Sequence, residues 1–156
     1  MTKLTYHLIH ANVALSRAAL DDEIMDGFVQ QIEEINGIAG SSPGFISQPT
    51  PEDAGVIYNG EWLLNMSVWE SIEHLDQFTH KGLHAVALDN RHRWFKEQIK
   101  PNYVLFWFKA GKVPRESEIQ QRIDCLAKYG PTPYAFNFKH NFTTLELVKY
   151  EQSPKA

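Results

Sequence analysis

Tyr103-Val104-Leu105-Phe106-Trp107-Phe108 is apolar at every position, and no other stretch constrains the fold of this chain as strongly. Successive side chains of a strand point to opposite faces, so a strand without a polar face has to be buried on both. Upstream, Leu63-Leu64-Asn65-Met66-Ser67-Val68-Trp69 alternates and runs into Glu70-Ser71. A helical segment from Leu83 to Gln98 then leads to the apolar run. Strand, helix, strand, with polar residues mixed into otherwise buried surfaces, predicts a sheet with a pocket under one helix. That bounds the function to small-molecule sites and names no reaction.

The rest of the chain reads as follows. Tyr6 to Val13 alternates and forms a first strand. Asp21-Asp22-Glu23 puts negative charge at the electropositive start of a helix, whose stripe is Ile24, Phe28, Ile32, Ile35 and Ala39. Gly40-Ser41-Ser42-Pro43-Gly44 ends it, and Phe45-Ile46-Ser47 is a short second strand. Gln48 to Glu61 reads as a long hairpin loop, Trp62 to Glu70 as the third strand and Ser71 to Thr79 as a short helix. After the fourth strand, Tyr103 to Phe108, Pro114 introduces a helix from about Arg115 to Tyr129 with Ile119, Ile123 and Leu126 on one face. Tyr134, Phe136 and Phe138 alternate as a terminal strand. Residues 1–142 form a single domain in this reading, and 143–156 a loosely held tail.

The order βαββαβ matches the ferredoxin-like α+β arrangement, an antiparallel sheet with helices on one face, here with an extra C-terminal helix and strand. One helical layer leaves the second face of Tyr103–Phe108 open. The expected cover is the same sheet of a second subunit, making a homodimer.

Several classes are excluded or disfavoured. At 156 residues and 43% apolar composition, with no run near the roughly 18 apolar residues of a membrane span, no membrane partner is expected. A net charge of -4 with interleaved signs lacks the basic face of a nucleic-acid binder; Arg91-His92-Arg93 is diluted by Asp89 and Glu97. The N-terminus has no signal-peptide core, and the single cysteine, Cys125, suits a reducing compartment, so a cytoplasmic location is expected.

On the Leu83–Gln98 helix, His84, Leu88, Arg91 and Phe95 lie close to one face. A competing stripe of Leu83, Val86, Asn90 and Trp94 would turn His84 toward solvent. His84 is either a structural histidine or a pocket residue, acting as acid/base or as an axial ligand to a heme iron. Arg91 is either solvated or a clamp for a substrate carboxylate. His80 and His84 stand four apart, but Gly82 interrupts the helix between them and no third ligand completes a metal site, so none is expected. Asn65 and Ser67 share a strand face with Trp69, and Asn12 and His10 share one with Leu8. These are structural hydrogen-bonding groups or polar points of a pocket whose aromatic walls would include Trp69, Trp94 and Trp107.

Asn65-Met66-Ser67-Val68-Trp69-Glu70-Ser71, His84, Arg91, Trp94-Phe95, Ala110-Gly111-Lys112-Val113-Pro114, Gly130-Pro131-Thr132-Pro133 and Ala135-Phe136-Asn137-Phe138 together resemble a bacterial family of unknown function. That family sits in the dimeric α/β-barrel superfamily, near antibiotic-biosynthesis-type and heme-degrading monooxygenases. The resemblance, over residues 4–140, implies a dimeric barrel and either cofactor-free or heme-dependent oxygenase chemistry. In heme-degrading relatives an Asn, a Trp and a His line the cleft. Asn12 and His84 match the first and third, while the Trp position falls near Phe78, a departure. Lys112 stands where a histidine is expected in many members. The combined expectation is a monooxygenase-like enzyme with His84 and Arg91 catalytic and Asn12, Asn65, Trp69, Trp94 and Trp107 around the substrate. A heme-binding protein using His84 and a non-catalytic dimeric binding protein are the alternatives.

Overall fold

A computed structural model describes residues 5–15, 17–18, 22–48, 56–59, 62–80, 94–96 and 102–152. Five strands, β1 (Tyr6–Leu15), β2 (Phe45–Ser47), β3 (Val56–Asn59), β4 (Trp62–Trp69) and β5 (Tyr103–Lys109), form one sheet. Its order is β2-β4-β1-β5, every pairing is antiparallel, and β3 shares the outer edge of β4 with β2. The helices among the described residues are α1 (Asp26–Gly40), α2 (Ile72–His80), α3 (Glu116–Tyr129) and α4 (Thr144–Gln152). An α+β architecture consistent with the ferredoxin-like arrangement results.

The two faces of the sheet are built by strict alternation. Leu8, Trp69 and Leu105 point to one side and bury against α1 and α2 through Ala39, Leu75 and Phe78. Ile9, Ala11, Leu64, Met66, Val68, Val104 and Phe106 point to the other and bury against Ile119, Ile123 and Leu126 of α3. The double-sided burial expected of β5 is therefore present, but its cover differs from the expectation. Helices do not stay on one face: α3 of the same chain occupies the second one, and Val104, Leu105 and Phe106 are fully buried in a single protomer. The reason is local. Pro114 and the positive-φ Gly130 bracket α3, and Ile119, Ile123 and Leu126 fall at spacings of four and three, one apolar stripe of the length needed to lie across the strands.

Other differences have equally specific causes. Ile24, placed in the α1 stripe by its spacing, is 51% exposed, and Met25 takes the buried place. Residues 23–25 form a 3₁₀ turn capped by Asp22, whose Oδ1 accepts the Ile24 N–H at 3.0 Å, and that turn shifts the helical phase. The 48–61 loop is shorter than it reads, because β3 pairs with the start of β4. Tyr134–Phe138 is no full strand. Phe136 makes one bridge to Leu105, and a tight turn at Thr132–Ala135 sends Tyr134 to the α3 side and Phe136 to the α1 side. The described part of the tail, residues 143–152, is not loosely held: 144–152 is helical and Leu147 is 3% exposed. A reciprocal capping box starts it, with the Thr143 N–H donating to Glu146 Oε1 and the Glu146 N–H to Thr143 Oγ1.

Candidate functional site

On the face covered by α1 and α2, the strand register lays nine residues into three rows. Asn65, Asn12 and Tyr103 are directly opposed across β4, β1 and β5; so are Ser67, His10 and Leu105, and then Trp69, Leu8 and Trp107. One end of this surface is apolar and the other polar, about 13 Å apart for a rise of about 3.3 Å per residue. Four of the residues expected around a substrate, Asn12, Asn65, Trp69 and Trp107, thus share one face.

The two tryptophans are anchored. Trp69 is fully buried, stacks on Phe78 at 4.9 Å between ring centres and donates its indole N–H to Ser67 Oγ at 2.8 Å. Trp107 is half-buried and donates to the Phe142 carbonyl at 2.8 Å, tying the C-terminal segment to the edge strand. Trp94 lies elsewhere, buried with Met25, Phe28 and Ile32 at the start of α1. Its ring leaves so little room that a β-carbon on Gly27 would come 3.1 Å from it. His84 and Arg91 lie outside the described residues, as does most of the Leu83–Gln98 segment. His80 is exposed at the end of α2, where Nδ1 contacts Asp76 Oδ1 at 2.6 Å. Among the described residues, no group of three or more His, Cys, Asp or Glu is arranged to hold a metal.

The polar end behaves differently from the tryptophans. Asn12 Oδ1 and Asn65 Oδ1 are both buried and have no hydrogen-bond partner among the described residues. A buried carbonyl oxygen left unsatisfied costs roughly 1–3 kcal/mol, so two side by side are an expensive feature for a core to carry. Beside them His10 packs against Tyr103 and Phe138, with ring centres 5.9 and 6.2 Å away. Phe138 is held there by its N–H, which donates to the Tyr103 hydroxyl at 3.2 Å.

Desolvation among these rings pushes the His10 imidazole from 6.5 down to about 4. At neutral pH it is an uncharged hydrogen-bonding group and a weak base. His10 was visible in the sequence as a polar residue on an apolar strand. What the sequence lacked was the identity of its neighbours, which come from β5 and from a segment 128 residues away. Because the folded value is the lower one, the unfolded chain takes up a proton first as pH drops. Stability is full above about 6.5 and falls by at most roughly 3 kcal/mol as pH descends to about 4. Thermal melts across that window should show this slope, and His10→Gln should flatten it; an unchanged slope in the variant would refute the assignment.

No helix among the described residues is long and apolar enough to cross a membrane. No curated protein and no solved structure matches the chain. One family model does, over residues 7–151, from β1 through α4, so the site and every strand around it lie within the match. The chain belongs to the family described as a domain of unknown function, DUF3291.

Proposed function

We propose that this chain is a small-molecule enzyme of monooxygenase-like type, with its pocket on the face of the sheet toward α1 and α2, at Asn12, Asn65, His10 and Tyr103. The observation that carries the reading is the opposed pair of buried amide oxygens on β1 and β4 that have no partner among the described residues. A core that needed only packing would be more stable with apolar residues there, since replacing unsatisfied polar groups by apolar ones of similar shape removes a penalty. A ligand that donates hydrogen bonds to both oxygens supplies a reason for keeping them. Leu8 and Trp69 are already covered by α1 and α2, so the half-buried rings next to the asparagines, Tyr103 and Phe138, supply the aromatic wall for a flat apolar substrate.

The oxygenase chemistry itself rests on the family resemblance, with His84 and Arg91 as the reacting and orienting groups of that reading. Homodimerisation rests on the same resemblance. It no longer draws support from an uncovered sheet face, because α3 occupies that face.

The test separates site from chemistry. Asn12→Leu combined with Asn65→Leu should melt no lower than the wild type while losing the stabilisation that bound ligands confer in a screen of planar aromatic compounds. With oxygen present, wild-type protein should convert a bound compound into a product that has gained one oxygen atom and lost two hydrogens, the second oxygen atom leaving as water, and the double variant should not. Equal ligand stabilisation in both proteins would sink the site. Binding without any product would leave a non-catalytic binding protein. A Soret shift with hemin that His84→Ala abolishes would replace the cofactor-free reading with the heme one.

A further inference from the structure

On the opposite side of the sheet, Arg122 of α3 is caged by aromatic rings. Its guanidinium carbon lies 3.9 Å from the centre of the Tyr134 ring, 4.5 Å from that of Phe106 and 5.9 Å from that of Phe108. The residue is half-buried. Its Nε is buried without a hydrogen-bond partner, and no carboxylate pairs with it among the described residues.

Among the described residues the desolvated Nε lacks the acceptor that a buried guanidinium nitrogen normally has. Buried charges are normally paired, and a guanidinium is a donor-only group, so the orphaned Nε–H can be satisfied only by an acceptor. At 3.9 Å from the Tyr134 ring there is room only for a flat stack. Stacking occupies the ring-facing side of the guanidinium and leaves its N–H edge to be satisfied in the guanidinium plane, where Nε has no acceptor among the described residues. That edge is a planar fork whose spacing matches the two oxygens of a carboxylate or phosphate. The rings come from β5 and from the Thr132–Ala135 turn, both rigidly tied into the sheet, so the fork is held in place before anything binds.

We propose that Arg122 anchors a second ligand site, on the α3 side of the sheet, that takes the oxyanion group of a small carboxylate or phosphate compound. The site is separate from the Asn12–Asn65 surface, which faces α1 and α2, and it does not depend on the reading of that surface.

The experiment follows the arginine Nε–H resonances of the full-length ¹⁵N-labelled chain. Inorganic phosphate and acetate are titrated separately, with chloride at matched ionic strength as the control. One resonance, absent from Arg122→Lys, should shift saturably with phosphate or acetate and not with chloride. The anion that saturates at the lower concentration identifies the oxyanion preferred. The shift should persist in the Asn12→Leu, Asn65→Leu double variant. No saturable shift with either anion overturns the proposal, and so does an equal response to chloride. A shift that follows protein concentration without added anion also overturns it, since a second copy's carboxylate would then be the partner. Should Arg122→Lys fail to fold, through-bond assignment of the Arg122 resonance in the wild type decides the same question.

Discussion

Phe106→Ala should lower the free energy of unfolding by about 3–5 kcal/mol, the range for truncating a buried aromatic to alanine. Phe106 is fully buried at the centre of β5, opposite Ile9, and belongs to the cluster that joins the sheet to α3. Its ring also meets Phe108 edge-on at 6.1 Å and carries the Arg122 guanidinium. Removing it opens a cavity that the strands cannot close, because β5 is pinned by β1 on one side and by Phe136 on the other. Urea denaturation should show a lower midpoint with an unchanged slope. Hydrogen exchange should accelerate in α3 (Glu116–Tyr129) more than in α1 (Asp26–Gly40), since α3 is the helix among the described residues that rests on that face. A loss below about 1 kcal/mol would mean that α3 does not bury this surface in solution.

Gly44→Ala should cost about 2–5 kcal/mol, adding a left-handed backbone penalty of about 1–2 to an overpacking penalty of about 1–3. Gly44 has φ +83°, and a β-carbon there would lie 2.2 Å from Cγ of His74. The histidine cannot step aside cheaply. Its Nδ1 is 2.7 Å from Ser71 Oγ, which also accepts the His74 N–H at the start of α2. The Gly44 carbonyl accepts the Glu70 N–H at 2.8 Å, so backbone movement would loosen the junction of β2 with the end of β4. The two causes can be separated. Measured against His74→Gly alone, Gly44→Ala in that background should cost only the backbone part, because His74 Cβ, Cγ and Nδ1, the atoms the new β-carbon would meet, are gone. A Gly44→Ala cost undiminished in the His74→Gly background would show that the clash is not the cause.

Much of the secondary structure was legible in the sequence because it depends on local pattern. The alternation of β1 and β4, the stripes of α1 and α3 and the stop at Gly130 each follow from residues within one element. So, in principle, did the start of α4. Thr143 and Glu146 form the Thr-x-x-Glu capping pattern, outweighed in reading by a polar stretch near the C-terminus that resembles a tail. Ile24 failed for the opposite reason, since periodicity assumes an uninterrupted helix and the first turn is 3₁₀.

The candidate site was legible only as separate residues. Asn12 and Asn65 are 53 positions apart, and nothing local to either shows that they stand opposite each other with neither oxygen bonded among the described residues. Register decides that, and register is set by the whole buried pattern of both strands. Trp94 shows the same limit from the other side: an aromatic at a suitable helical position lies against Gly27 and Phe28, away from Asn12 and Asn65.

By itself the sequence determined that Tyr103–Phe108 must be covered on both faces, because six successive apolar side chains leave neither face able to meet water. It could not say by what. Only the tertiary structure decided that α3 of the same chain lies there. The choice between a helix of one's own and the sheet of a second copy depends on where the chain returns after Pro114, a matter of long-range packing that no local pattern encodes.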